Sequence, residues 1–167
     1  MPTMIQMTKP VFNQMLGALE RILDKLAAHC EAKKIEPSVF LGMRLYPDMF
    51  AFARQVQIAC DFAKGAAARL SGRDNPSWSD TETTIAELKE RIAKTLAFIH
   101  AIPDSEIDGS ETRTISMKIR GTEMSWPGTT YLAHVAMPNF YFHLTAAYSI
   151  LRHGGVDIGK NDFLGRN

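Results

Sequence analysis

Apolar side chains recur three and four positions apart over four separate stretches of the chain, and this period limits the possible folds more than any other feature. Such spacing puts the apolar groups on one face of a helix, and each face must then be covered by another element. The first stretch runs from about Pro10 to Ala32 and carries Phe12, Met15, Leu16, Leu19, Ile22, Leu23 and Leu26. The second runs from Asp48 or Met49 to Leu70, with Phe52, Gln55, Val56, Ala59, Phe62, Ala63 and Ala66 on one face and Gly72 just past the end as a stop. The third spans Thr81 or Thr83 to Ala101 through Ile85, Leu88, Ile92, Leu96 and Ile99. Thr84 followed by Glu87 has the spacing of a capping box. Its charged residues, Glu82, Lys89, Glu90, Arg91 and Lys94, read as a solvated face. The fourth extends from Pro127 or Gly128 to His153, before Gly154-Gly155, and turns Leu132, Val135, Ala136, Asn139, His143, Ala146 and Ile150 inward.

Pro138 falls in the middle of this last stretch. A proline there removes one backbone hydrogen bond and clashes with the preceding turn, at a cost of about 3 kcal/mol, which predicts a kink or a break. Two other segments leave the helical period. Between Lys33 and Pro47 the chain is punctuated by Pro37, Gly42 and Pro47. This predicts a long connection with a short helical turn at Ser38 to Leu41, packed on the bundle through Val39, Phe40, Leu41, Met43 and Tyr46. After Pro103 the period falls to two, with Ile115, Met117 and Ile119 alternating with polar residues. A turn at Gly121-Thr122 and a return over Glu123 to Trp126 complete a predicted β-hairpin, which must pack on the helices to be stable. The tail, Val156 to Asn167, reads as an ordered or frayed extension. The expected architecture is all-α: one domain over residues 1–167, a four-helix bundle with a small β-hairpin between its third and fourth helices.

Composition narrows the function classes. A formal net charge of +1 points neither to nucleic acid nor to an anionic membrane surface. No apolar run approaches the roughly 18 residues of a membrane span. Met1 to Lys9 lacks the charged-then-apolar pattern of a signal peptide, so a cytoplasmic location is expected. Cys30 and Cys60 lie in apolar helical patterns and read as buried free thiols. Gly154 and Gly159-Lys160 copy the spacing of a phosphate loop, but Asn161 stands where Ser or Thr should hold magnesium, and no strand precedes them. No GxSxG, CxxC or paired carboxylates suggest nucleophilic, redox or acid–base chemistry. Apolar stripes on more than one face suggest a homodimer.

Several strings resemble an uncharacterised bacterial branch of the DinB/YfiT-like superfamily, a domain of unknown function. They are Arg44-Leu-Tyr-Pro-Asp48-Met-Phe, the stretch from Gln55 to Gly65, Pro138-Asn-Phe-Tyr-Phe-His143, and the ending from Leu151 to Lys160. The resemblance covers nearly the whole chain and implies a DinB-like four-helix bundle, often dimeric, without an assigned activity. In the wider superfamily three histidines from two helices hold a divalent cation, two of them as an HxxxH pair. Carried over, His143 matches the second member of that pair, Asn139 replaces the first, and Gln55 falls near the third position. His143 is thus the only retained candidate ligand, and amides are poor ligands for zinc or nickel.

Asn139 and His143 are four apart on one helix face, and Gln55 lies on the apolar stripe of another. Polar groups in a bundle core are costly unless they bond to one another or to water. Three readings follow: a structural network with buried water, a small-molecule pocket, or a metal site with Asp48 or Asp61 added. Asp48 itself reads as a helix N-cap or as a carboxylate at the pocket mouth beside Arg44. The function expected is a small-molecule-binding module with a degenerate, non-metal site lined by Gln55, Asn139 and His143, with Asp48 nearby. The alternative is a divergent metal-dependent thiol transferase, by analogy of fold.

Overall fold

A computed structural model describes residues 2–166; Met1 and Asn167, the outer ends of the first and last segments discussed above, lie outside the described residues. The order is α1 (Lys9–Lys33), α2 (Pro37–Gly42), α3 (Phe52–Ser71), α4 (Ile85–His100), α5 (Asp104–Ile107), β1 (Thr114–Ile119), β2 (Thr122–Pro127), α6 (Gly128–Tyr131), a π-helical turn (Leu132–Ala136), α7 (Met137–His153) and α8 (Lys160–Leu164). The four long helices α1, α3, α4 and α7 form the bundle, and α3 packs on both α4 and α7. Its run of buried alanines, Ala63, Ala66, Ala67 and Ala68, lets its neighbours come close. The stripe expected on one side of this helix is therefore a burial on most sides.

Local rules account for most of the ends. Thr84 and Glu87 form the expected capping box: the Glu87 N–H donates to Thr84 Oγ1 at 3.1 Å and the Thr84 N–H to Glu87 Oε2 at 3.0 Å. Gly72 closes α3 in the left-handed region at φ 76°. The start of α3 differs from expectation. The helix begins at Phe52, its N-cap position is Ala51, and the Phe52 N–H donates to the Met43 carbonyl at 2.9 Å. Asp48 is therefore not an N-cap: it lies in the turn closed by the Met49 N–H on the Tyr46 carbonyl, and it is exposed. Arg44 does not pair with it either, donating instead to the carbonyls of Pro47 and Met49 at 3.4 and 3.2 Å.

The hairpin pairs Ile115 with Trp126 and Met117 with Met124. Its turn is Arg120-Gly121, one residue earlier than expected, with φ of 49° and 84°. A two-residue hairpin turn with both central residues at positive φ matches the twist of the strands, and glycine takes one of those places at no steric cost. Ile115 is buried, and the Trp126 ring lies 6.4 Å from that of Tyr131, which fastens the hairpin to α6.

Pro138 does not break the fourth helical segment. The helix runs on through it, with Ala136 and Met137 both right-handed, and the π-helical turn at Leu132–Ala136 just before it takes up the distortion that a proline causes there. The tail is ordered as far as it is described: Val156 and Ile158 are buried, and α8 packs on α1, with Gln14 Nε2 donating to the Leu164 carbonyl at 2.9 Å.

The charged face of α4 is the largest departure from expectation. Arg91 is buried, its side chain only 2% exposed. Its guanidinium reaches Asp61 at 3.0 Å on α3, and Asp80 at 2.9 Å and Glu82 at 3.0 Å in the segment before α4. Gln57 Nε2 adds a bond to Glu82 at 2.9 Å. A charge is tolerated inside only when it is paired and hydrogen-bonded, and this one ties the 72–84 connection to two helices.

Candidate functional site

Gln55 stands in the first turn of α3, on the side that meets α7. Its Nε2 donates to the Phe50 carbonyl at 3.2 Å, so its Oε1 is turned to His143, 2.7 Å from Nδ1. A carbonyl oxygen can only accept, so His143 Nδ1 carries the proton and donates it to Gln55. Nε2 then holds the lone pair, and no hydrogen bond to it occurs among the described residues. His143 is 8% exposed. Burial, and secondarily the Arg54 guanidinium, push its pKa down from 6.5 to about 4, so the imidazole is neutral at pH 7.

Aromatic rings enclose this imidazole. Phe62 stacks on it nearly parallel, with centroids 5.9 Å apart, and Phe142 meets it edge-on at 5.2 Å. Phe142 and Phe50 are 57% and 55% exposed, so the pair sits beneath an open aromatic rim. Arg54 lies over the Phe50 ring at 5.9 Å and is paired with Asp80.

Of the residues expected to converge, the structure joins Gln55 and His143. Asn139 shares their neighbourhood on α7 but uses its amide on its own helix: Nδ2 donates to the Val135 carbonyl at 2.7 Å. That bond belongs to the π-helical turn before Pro138, where the regular ladder is interrupted, and it takes Asn139 out of the expected polar trio. Asp48 is in the exposed turn described above. Asp61 belongs to the Arg91 cluster and also accepts from Lys64 Nζ at 3.1 Å. Arg54, Phe50 and Phe142 were not foreseen as site residues. Arg54 carried one faint signal, its place next to Gln55 in the first turn of α3.

The model of a domain of unknown function, DUF1993, matches residues 4–164. The chain belongs to the DUF1993 family. The crystal structure of a DinB family member protein from Shewanella denitrificans is similar over 96% of this chain and 91% of that chain, at 41% identity and a TM-score of 0.87. No curated protein matches. The DinB-like bundle expected from the sequence is thus the fold of this DUF1993 domain.

The donor set of this DUF1993 site does not fit a DinB-type divalent cation. Such a cation needs imidazole nitrogens or carboxylates with free lone pairs. Here one imidazole offers Nε2 alone, because Nδ1 carries its proton to Gln55. The Gln55 carbonyl oxygen is occupied by that same bond, and the Arg54 charge opposes a second cation nearby. Among the described residues, no group of three or more His, Cys, Asp or Glu could hold a metal ion.

Proposed function

We propose that this DUF1993 domain is a binding module for a small molecule, with a site that works without a metal. The single observation behind the reading is the Gln55–His143 bond at 2.7 Å, which leaves a neutral imidazole with its Nε2 lone pair uncommitted. A ligand complementary to it is neutral, brings one O–H or N–H donor to Nε2, and lays an apolar body against Phe142 and Phe50. The metal-dependent thiol transferase reading is disfavoured by the donor set.

A thermal-shift screen of neutral phenols, alcohols and amides tests this. Hits should raise Tm, and His143→Leu should abolish the rise while keeping the fold. If no neutral donor shifts Tm, or if hits persist unchanged in His143→Leu, the reading fails.

The same proposal includes a homodimer in a cytoplasmic compartment. Support for pairing is the exposure of four large apolar side chains, Tyr46, Phe50, Tyr141 and Phe142. Light scattering should find twice the chain mass, and Phe142→Glu should halve it. Two free buried cysteines suit a reducing compartment.

A further inference from the structure

A hollow of about 300 Å³ opens between α3, the 75–78 segment and β1. That volume is at the small end of ligand pockets. Its walls are Phe62, Trp78 and Met117, and its charged groups are Asp61, Lys64 and Arg69. Their pairing decides what it can accept. Asp61 accepts from Lys64 Nζ at 3.1 Å and from Arg91 at 3.0 Å, so its charge is already answered. Lys64 is 3% exposed, donates also to the Pro76 carbonyl at 2.6 Å, and lies 4.3 Å over the Trp78 ring. Arg69 differs from both. Its one hydrogen bond goes to the Tyr131 hydroxyl at 3.2 Å, and it makes no ion pair among the described residues.

The position of that guanidinium is built into α3. A Cβ on Gly65 would come within 2.5 Å of Arg69 Nη1. The glycine therefore leaves room for the guanidinium to fold back along its own helix at the edge of the hollow. A half-buried guanidinium with donors to spare is a natural partner for a planar carboxylate, which it can bind through two parallel hydrogen bonds.

We propose that this hollow binds a small organic monocarboxylate, its carboxylate on Arg69 and its apolar body against Trp78, Phe62 and Met117. One positive charge among the lining groups is left uncompensated, which matches a single negative charge. The two lysines that lie over the Trp78 ring, Lys64 at 4.3 Å and Lys94 at 4.4 Å, disfavour a cationic ligand.

The test uses the indole N–H signals of the whole protein in a nitrogen-15 NMR titration. There are two tryptophans, Trp78 in the hollow and Trp126 on β2, so two such signals exist. Benzoate is the probe, with benzyl alcohol and benzylamine as neutral and cationic analogues. The Trp78 signal should shift saturably with benzoate, and the two analogues should bind at least about tenfold more weakly. Arg69→Gln should lose at least about tenfold in affinity. Gly65→Ala should also weaken binding, because its methyl displaces the guanidinium, while the helix itself gains from alanine. The proposal is overturned if benzoate fails to saturate the Trp78 signal, if benzyl alcohol binds as well as benzoate, or if both variants bind benzoate like the parent protein.

Discussion

Acid should destabilise this protein through one group in particular. In the unfolded chain His143 takes up a proton near pH 6.5, whereas in the native protein it does so only at about 4. Between those values the unfolded state binds more protons, so stability falls as pH falls. The depressed pKa therefore contributes nothing against unfolding above pH 6.5 and a growing penalty below it. Each pH unit inside the window costs about 1.4 kcal/mol, and the whole window about 3 kcal/mol, a large part of a typical domain's stability. Urea unfolding of the parent and of His143→Gln at pH 7, 6, 5 and 4.5 separates this group from the carboxylates, which titrate in both proteins. The parent should lose more stability than the variant on going from pH 7 to 4.5, with most of the difference appearing below pH 6. Parallel curves for the two proteins would refute the reasoning, because they would mean that His143 titrates alike in the folded and unfolded chain.

Three further outcomes follow from the packing. Gln55→Leu leaves the His143 Nδ1 proton without its acceptor, and chemical denaturation should show a loss of about 1–3 kcal/mol. Arg91→Met leaves Asp61, Asp80 and Glu82 without the guanidinium that joins them; since the carboxylates are partly exposed, urea unfolding should show a loss of about 3 kcal/mol, at the low end for a broken buried pair. Cys60 is fully buried and burial pushes its thiol up to about 12, so a thiol reagent should label it only as fast as the protein unfolds, which stopped-flow labelling in increasing urea would check.

What could be read from the sequence was local. The four apolar periods, the Thr84–Glu87 cap and the period-two segment at Ile115 to Ile119 each lie within a few residues, and each corresponds to an element of the fold. Gln55 and His143 were legible as inward-facing polar residues, because helical spacing puts them on apolar stripes. Their bond was not, since it spans 88 positions. Arg91 was misread for the same reason: its partner Asp61 is 30 residues away, and a charge at an α4 position looks solvated until the 72–84 segment folds over it. Asn139 and Asp48 failed on backbone details. A π-helical turn gave Asn139 a carbonyl of its own to bond, and α3 starts only at Phe52, four residues past Asp48, so no first-turn N–H is left for Asp48 to cap. The Arg69 hollow left no signal at all, because a lone Arg on α3 cannot be told from a solvated one before the Trp78 segment and the hairpin close around it.

Everything at this site depends on His143 being a neutral imidazole, protonated on Nδ1 and held there by Gln55. Long-range nitrogen–proton NMR of the imidazole at pH 7 reads both ring nitrogens directly. Nδ1 should be protonated and Nε2 bare, unchanged when stoichiometric zinc is added. A proton on Nε2, or a histidine signal that moves to a metal-bound position with one equivalent of zinc, would contradict it.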